Sequence, residues 1–396
     1  MEEGSPIELP DFSNTEIAFS TKSNAELKKM ERLFRLMNNA TLVKLGTHLG
    51  LFAVKYRIPF SDYFIRETIF EQFCGGENLW DCQKTIDKLH KFQTLSVLDF
   101  GAEAKNTEEE FDAVMSENMR AIEMAASNNS VPVISTKLTG LVDNAVLEAL
   151  QNKEILNPAQ KSKYDSFFKR VDAICSKAYE HGVGVFIDAE ESWMQDPIDA
   201  LAMEMMDKYN KERVIVYNTY QLYRKDKLAD LKRDFEVATS KQFKLGAKLV
   251  RGAYMEKERK RAKEMGYECM IQETKEDTDR DYNLALEFCV DHYQEISVCC
   301  ASHNQESNLL LARLIQQKKL DKSHPHLNFC QLMGMSDCIT FNLAKAGFNV
   351  AKYVVYGPVK EVLAYLVRRA EENTSITGEM GRELSLIDTE IKRRGL

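Results

Sequence analysis

Val183-Gly-Val-Phe-Ile-Asp188, the helical pattern Pro197–Lys211 and then Val214-Ile-Val-Tyr-Asn-Thr-Tyr220 decide the fold. Both apolar runs are rich in β-branched residues and lack clean polar alternation. They are bounded by polar or glycine residues, as parallel strands buried on both faces are. The stretch between them is long enough for a crossover helix, which parallel neighbours need.

The pattern repeats outward from this unit. Leu95–Phe100 and Val131–Leu138 precede it; Gly246–Arg251, Ile296–Ser302, Leu327–Leu332 and Val350–Val355 follow. Tyr164–His181, Asp279–His292 and Gln305–Lys318 read as helices between the runs. Pro197 reads as a first-turn proline just inside a helix start. Eight such units over residues 93–396 predict an α/β fold, a (β/α)8 TIM-like barrel, with a doubly wound sheet as runner-up. Residues 1–92 read differently. Ala25–Leu51, Ser61–Cys74 and Asp81–Phe92 look helical and strand signals are absent, so an N-terminal α-helical arm is expected to pack on the barrel.

Composition narrows the function. The 396 residues are 44% hydrophobic and 29% charged, which excludes a disordered chain. The net charge is −8 with no basic block, so nothing supports nucleic-acid binding. No apolar run approaches the roughly 18–20 residues that span a bilayer. The start, MEEGSPIELPDF, lacks the apolar core of a secretory signal, although a chain with its presequence removed would look the same. Nine cysteines without a CxxC read as reduced, buried thiols in a cytosol-like compartment. The adjacent Cys299–Cys300 sits in an apolar run and reads as core. There is no GxGxxG after a strand, no GxxxxGK[ST] and no GxSxG. His324 and His326 lack metal-ligand company, so no metal site is expected.

Active sites of parallel barrels lie at the strand C-terminal ends. Asp99, Lys137, Asp188, Gln221, Arg251, His303 and Tyr353 all fall at or near such ends. After the eighth run comes Tyr365-Leu-Val-Arg-Arg-Ala-Glu-Glu-Asn373. On a helix, Tyr365, Arg368, Arg369 and Glu372 share one broad face. Two adjacent guanidinium groups suit a carboxylate or a phosphate. Taken alone, the same segment also fits a solvated charged face.

The segments KLVRGAYM (248–255), SHN (302–304), YLVRRAEEN (365–373), STKL (135–138), IDAEE (187–191), NTYQ (218–221) and QLMGM (331–335) resemble the flavin-dependent proline dehydrogenase family. The resemblance runs in the same order through Leu95–Leu396. It implies a barrel whose last helix caps the mouth, and oxidation of L-proline to Δ1-pyrroline-5-carboxylate with FAD. By resemblance, Arg368, Arg369 and Lys137 grip the proline carboxylate. Tyr254, Leu332, Tyr353 and Tyr365 wall the ring, Asp188 supports the polar cluster, and Glu103 pairs with the first arginine as a gate. For FAD the match gives Gln221, Lys248, Val250, Gly252, Ala253, Met255, Thr274, His303, Asn304 and Glu372. Gly252 would let the backbone approach a bulky cofactor. Lys248 stands where many relatives carry arginine, and Met255 where some carry tryptophan.

The resemblance further implies a membrane quinone as electron acceptor, hence peripheral contact with the bacterial inner membrane or the matrix side of the mitochondrial one. No aldehyde dehydrogenase domain is expected after Asn373, so a separate pyrroline-5-carboxylate dehydrogenase would take the product. A 4-hydroxyproline dehydrogenase is the alternative within the fold, disfavoured because the Tyr353 ring would crowd a C4 hydroxyl. A barrel that has lost catalysis and only binds is the alternative outside it. No residue presents itself as the base for the substrate amine.

Overall fold

The computed structural model describes residues 9–56, 58, 61–101, 105–375 and 379–396, with the side chains of 40, 55 and 371–380 left out. Among the described residues there are nine strands: β1 (Cys74–Gly76), β2 (Leu95–Phe100), β3 (Val133–Thr136), β4 (Gly184–Ile187), β5 (Val216–Gln221), β6 (Leu245–Val250), β7 (Ile296–Ala301), β8 (Leu327–Leu332) and β9 (Val350–Tyr356). They form one sheet in the order β1-β9-β2-β3-β4-β5-β6-β7-β8, with β9 also paired to β8. Strands β2–β9 therefore make the closed (β/α)8 barrel, and the doubly wound alternative is excluded. By contacts the chain divides into two units, Met1–Leu9 with Ala104–Cys330 and Pro10–Glu103 with Gln331–Leu396.

In the first unit β3 to β7 pair in parallel, each with the next, as does β7 with β8. Every residue of β4 and β5 is buried, which is why neither shows polar alternation. The run Val131–Leu138 yields a strand of only four residues. Pro132 has no N–H to donate before it, and Leu138–Gly140 turns into a 3-10 helix after it. Pro197 is not at a helix start as expected: the helix is Ser192–Tyr209, and Pro197 lies inside it. The first-turn proline is Pro158, which opens Pro158–His181 beside the Asn157–Gln160 capping box.

The second unit holds the arm helices and the last strand. Ala25–Leu51 is two helices, Asn24–Met37 and Ala40–Lys55. Asn39 interrupts it, because its side-chain oxygen accepts from the N–H groups of Thr41 and Leu42 and starts a new helix. Ser61–Cys74 is helical to Phe73, with a π-helical stretch at Arg66–Phe70. Cys74–Gly76 is then a strand where none was expected, paired in parallel with β9. Gly75 permits the pairing, since a Cβ there would lie 2.3 Å from Val354 Cγ1. β9 pairs with β2 along its length, from Leu95 opposite Ala351 to Phe100 opposite Tyr356.

One ion pair is sunk in this unit. Lys352, on β9 and 1% exposed, lies 2.8 Å from Asp337 and also donates to Met335 O at 2.5 Å. Burial works against the Asp337 charge, but Lys352 and Lys22 outweigh it and hold the carboxyl below its ordinary range. Glu383, on the helix Glu379–Arg393, is buried nearby. Burial, reinforced by Asp337, pushes its pKa from 4.5 to about 7 against the pull of Arg382 and Lys352.

The sign of the resulting pH dependence follows. Between pH 4.5 and about 7 the folded chain keeps a proton on Glu383 that the unfolded chain has released. Stability therefore falls as pH rises through that window and levels off above it. Glu383→Gln removes the step. Urea unfolding of both proteins across the window should show the wild type losing ground to the variant; parallel curves would refute it.

Candidate active site

The first unit carries most of the candidate residues, on the ends of its strands. Lys137 follows β3, Asp188 follows β4, Gln221 ends β5, and Lys248 and Val250 lie on β6. His303 and Asn304 follow β7. Three of these residues come together. Asp188 accepts from Lys248 Nζ at 2.5 Å and from Ser135 Oγ at 2.8 Å, and its other oxygen lies 3.5 Å from Lys137 Nζ. Lys248 is 5% exposed and also sits 5.2 Å from the centre of the Phe186 ring. Two ammonium groups thus share one carboxylate.

A second cluster adjoins the same motif, and sequence reasoning missed it. Glu190 is buried two residues after Asp188. Its carboxylate accepts from Thr139 Oγ1 at 2.7 Å and from Tyr254 Oη at 3.0 Å. Its carbonyl accepts from Gln221 Nε2 at 2.7 Å. The available signal was the acidic IDAEE run at a strand end. Tyr254 is thereby oriented through Glu190, and Gln221 spends one donor on backbone.

Arg251 at the end of β6 serves structure. It pairs with Asp279 at 2.6 Å, donates to Ser302 and Ser307, and lies over the Tyr282 ring. Gly252 has φ +140°, and a Cβ there would meet the Tyr223 ring at 2.4 Å. The close approach expected at this glycine is made by Tyr223. Gly252 and Ala253 are exposed, and the helix Met255–Met265 starts beyond them with no side-chain cap. Its first N–H groups have no side-chain cap, and the first turn carries Glu256 and Glu258. Thr274 and Asn304 are helix caps, accepting from Asp277 N and Ser307 N. Their side-chain oxygens are engaged locally.

The second unit places Leu332 at the end of β8 and Tyr353, buried, within β9. Tyr365, Arg368 and Arg369 lie on the helix Val359–Ser375. Arg369 is buried with its guanidinium 5.5 Å from the Tyr365 ring, a cation–π distance that sets both side chains. Glu103 lies outside the described residues, and so does the side chain of Glu372. Among the described residues no group of His, Cys, Asp and Glu could hold a metal ion. All nine cysteines are unbridged, with Cys299 and Cys300 buried as core.

A family described as proline dehydrogenase matches residues 82–382. The Dictyostelium discoideum protein named proline dehydrogenase 1, mitochondrial, is 35% identical over 84% of this chain and 66% of its own length. The carbapenem antibiotics biosynthesis protein CarD of Pectobacterium carotovorum subsp. carotovorum is 33% identical over 91% of this chain and 94% of its own. The hydroxyproline dehydrogenase of Xenopus laevis is 29% identical over 95% and 88%. Among solved structures, proline utilization A from Bdellovibrio bacteriovorus superposes with a TM-score of 0.73 at 20% identity. That match covers 96% of this chain but 40% of the other, and it shows the fold.

The Asp188 cluster is testable by itself. In a double-mutant cycle of Asp188→Asn and Lys248→Met, followed by urea unfolding, the coupling energy should be about 1–3 kcal/mol. Simple additivity of the two single effects would show that the pair is not an energetic unit.

Proposed function

Because the chain belongs to the proline dehydrogenase family, we propose that it oxidises L-proline to Δ1-pyrroline-5-carboxylate with FAD as cofactor. The observation that carries this reading is the Lys137–Asp188–Lys248 cluster at the strand ends, inside the stretch the family matches. On this reading 93–396 is the catalytic barrel and 1–92 an arm.

The substrate is an amino acid whose carboxylate needs fixed cations. Arg368, Arg369 and Lys137 supply them; charge-assisted bonds both bind the carboxylate and set the ring's orientation. Asp188 positions Lys137 from behind. Tyr254, Leu332, Tyr353 and Tyr365 exclude water from the pyrrolidine ring, and Glu103 gates the site through Arg368. Oxidation removes a hydride from ring carbon C5 and a proton from nitrogen, leaving a C=N bond.

FAD, when bound, supplies the two-electron acceptor for that hydride. The residues present fit it: the exposed Gly252–Ala253 backbone and the uncapped helix start suit a pyrophosphate, and Lys248 is a cationic donor for the flavin ring. Gln221, Val250, Met255, Thr274, His303, Asn304 and Glu372 complete the set of holding residues. Electrons would pass on to a membrane quinone, and the product to a separate pyrroline-5-carboxylate dehydrogenase.

A 4-hydroxyproline dehydrogenase is the second reading, favoured by the Xenopus relative. Against it stands Tyr353, which is buried and on this reading would crowd a C4 hydroxyl. The deciding experiment uses the flavin-loaded protein. L-proline should bleach its visible flavin band, with kcat/KM higher than for 4-hydroxyproline. A flavin-loaded protein that proline does not bleach would sink the proposal, and the reverse preference would select the second reading.

Arg368→Met tests the carboxylate assignment separately. KM for proline should rise by about 10-fold or more, the order of one lost charge-assisted contact, while flavin content stays unchanged. An unchanged KM would remove Arg368 from the role.

A further inference from the structure

The second unit holds a cavity of about 690 Å³, in the size range of sites that take small molecules. Helix Asn24–Met37 lines it with Lys29, Arg32, Leu33 and Leu36, spaced three and four apart on one face. Helix Leu79–His90 does the same with Asp81, Lys84, Thr85 and Lys88. The walls are tied to one another. Lys88 Nζ donates to Glu26 at 2.7 Å and links the two helices. Lys29 pairs with Glu71 and lies 3.9 Å from Glu67, which links the first helix to the π-helical stretch and the turn after it. Gln72 Nε2 donates to Gly334 O at 2.8 Å. Gly334 has φ +78°, and a Cβ there would lie 2.1 Å from Gln72 O, so this side is closed by a backbone approach.

Two chemistries meet in this cavity. One is apolar: Met30, Phe70, Leu89 and Phe341 are buried along it, and Leu33 and Met333 are half-buried. The other is cationic: seven Lys and Arg line it against five Asp and Glu in a chain of net charge −8. Most of these cations are matched. Lys29 and Lys88 have the glutamates just named. Lys352 and Lys22 share Asp337, at 2.8 and 4.0 Å, and Arg66 pairs with Glu77. Arg32 and Lys84 are exposed and make no ion pair among the described residues. An apolar wall beside two unmatched cations suits a molecule with an apolar body and a carboxylate. A neutral ligand would leave the cations unused, and an inorganic anion would gain nothing from the apolar wall.

We propose that this cavity binds a small amphipathic carboxylic acid. The apolar body lies against Met30, Leu33, Phe70 and Leu89, and Arg32 and Lys84 hold the carboxylate. The site is separate from the one described above. Lys352 lines it, and successive strand residues turn to opposite faces, so Tyr353 points away from it. None of the residues assigned to proline or to FAD lines it. Binding there does not depend on the functional reading.

The test uses the flavin-loaded full chain and equilibrium dialysis with labelled decanoate, kept below its micelle concentration. Decanoate should bind saturably. Decanol, which keeps the body and lacks the charge, should compete about tenfold or more less well, the order of one lost charge-assisted contact. Acetate, which keeps the charge and lacks the body, should not displace decanoate at equal concentration. Arg32→Glu with Lys84→Glu should lower the affinity for decanoate about tenfold or more. Leu33→Trp, which fills the cavity from its apolar wall, should lower it as well. Urea unfolding like that of the wild type shows that each variant is folded. Absence of saturable decanoate binding would overturn the proposal. So would equal competition by decanol, or an affinity that neither the charge reversal nor the filled cavity changes.

Discussion

A parallel strand buried on both faces can display polar groups only where it ends, or where a partner neutralises them. β4 and β5 are buried at every position, and so is β9. Chemistry is thereby driven to the strand termini, where Lys137, Asp188, Gln221 and Arg251 stand. Lys248 is a charged residue within a strand, and it shows the rule at work. Its ammonium lies inside the barrel wall with Asp188 meeting it at 2.5 Å and the Phe186 ring beside it. A buried charge left without a partner costs several kcal/mol, so the two residues are tied to one another. The cation that the family reading gives to the flavin and the aspartate that holds Lys137 are parts of one electrostatic unit.

The same economy governs the other unit. Lys352 is a lysine in the middle of β9, and Asp337, on the helix after β8, is placed to meet it. Glu383 from the C-terminal helix is buried near this pair, and burial with Asp337 raises its pKa to about 7 against the pull of Arg382 and Lys352. Arm helices and β1 are added around this frame. Tyr365 and Arg369 are set against one another on the helix Val359–Ser375, so the guanidinium has an aromatic rest independent of any ligand.

Legibility followed the range of the interaction. The strand runs were readable because burial on both faces leaves a local mark, and separate motifs carried the family resemblance. The breaks were less so. Asn39 is a good cap and was in view, but apolar periodicity through Ala25–Leu51 hid it. Pro197 has the look of a helix start and is not one; Pro158 does the job beside Asn157. β1 could not be read at all, since Cys-Gly-Gly has no strand propensity and pairs with the end of β9 at Val355 and Tyr356, where Gly75 passes too close to Val354 for a side chain. Glu190 lay inside a quoted motif and was passed over, because its partners Thr139 and Tyr254 are far away in sequence.

The sequence by itself determined the barrel, the presence of helices before the first barrel strand, and the family, because period, turn residues and short motifs are local. It also showed lysines and arginines set in or next to the apolar runs of an acidic chain. Only the tertiary structure decided which partner each of them takes: Asp188 for Lys137 and Lys248, Asp279 for Arg251, Asp337 for Lys352. It alone showed that the arm turns leucines outward, for the period of Ala40–Lys55 is the same whichever face is covered. Pairing and exposure depend on residues brought together from distant parts of the chain, and no local pattern records them.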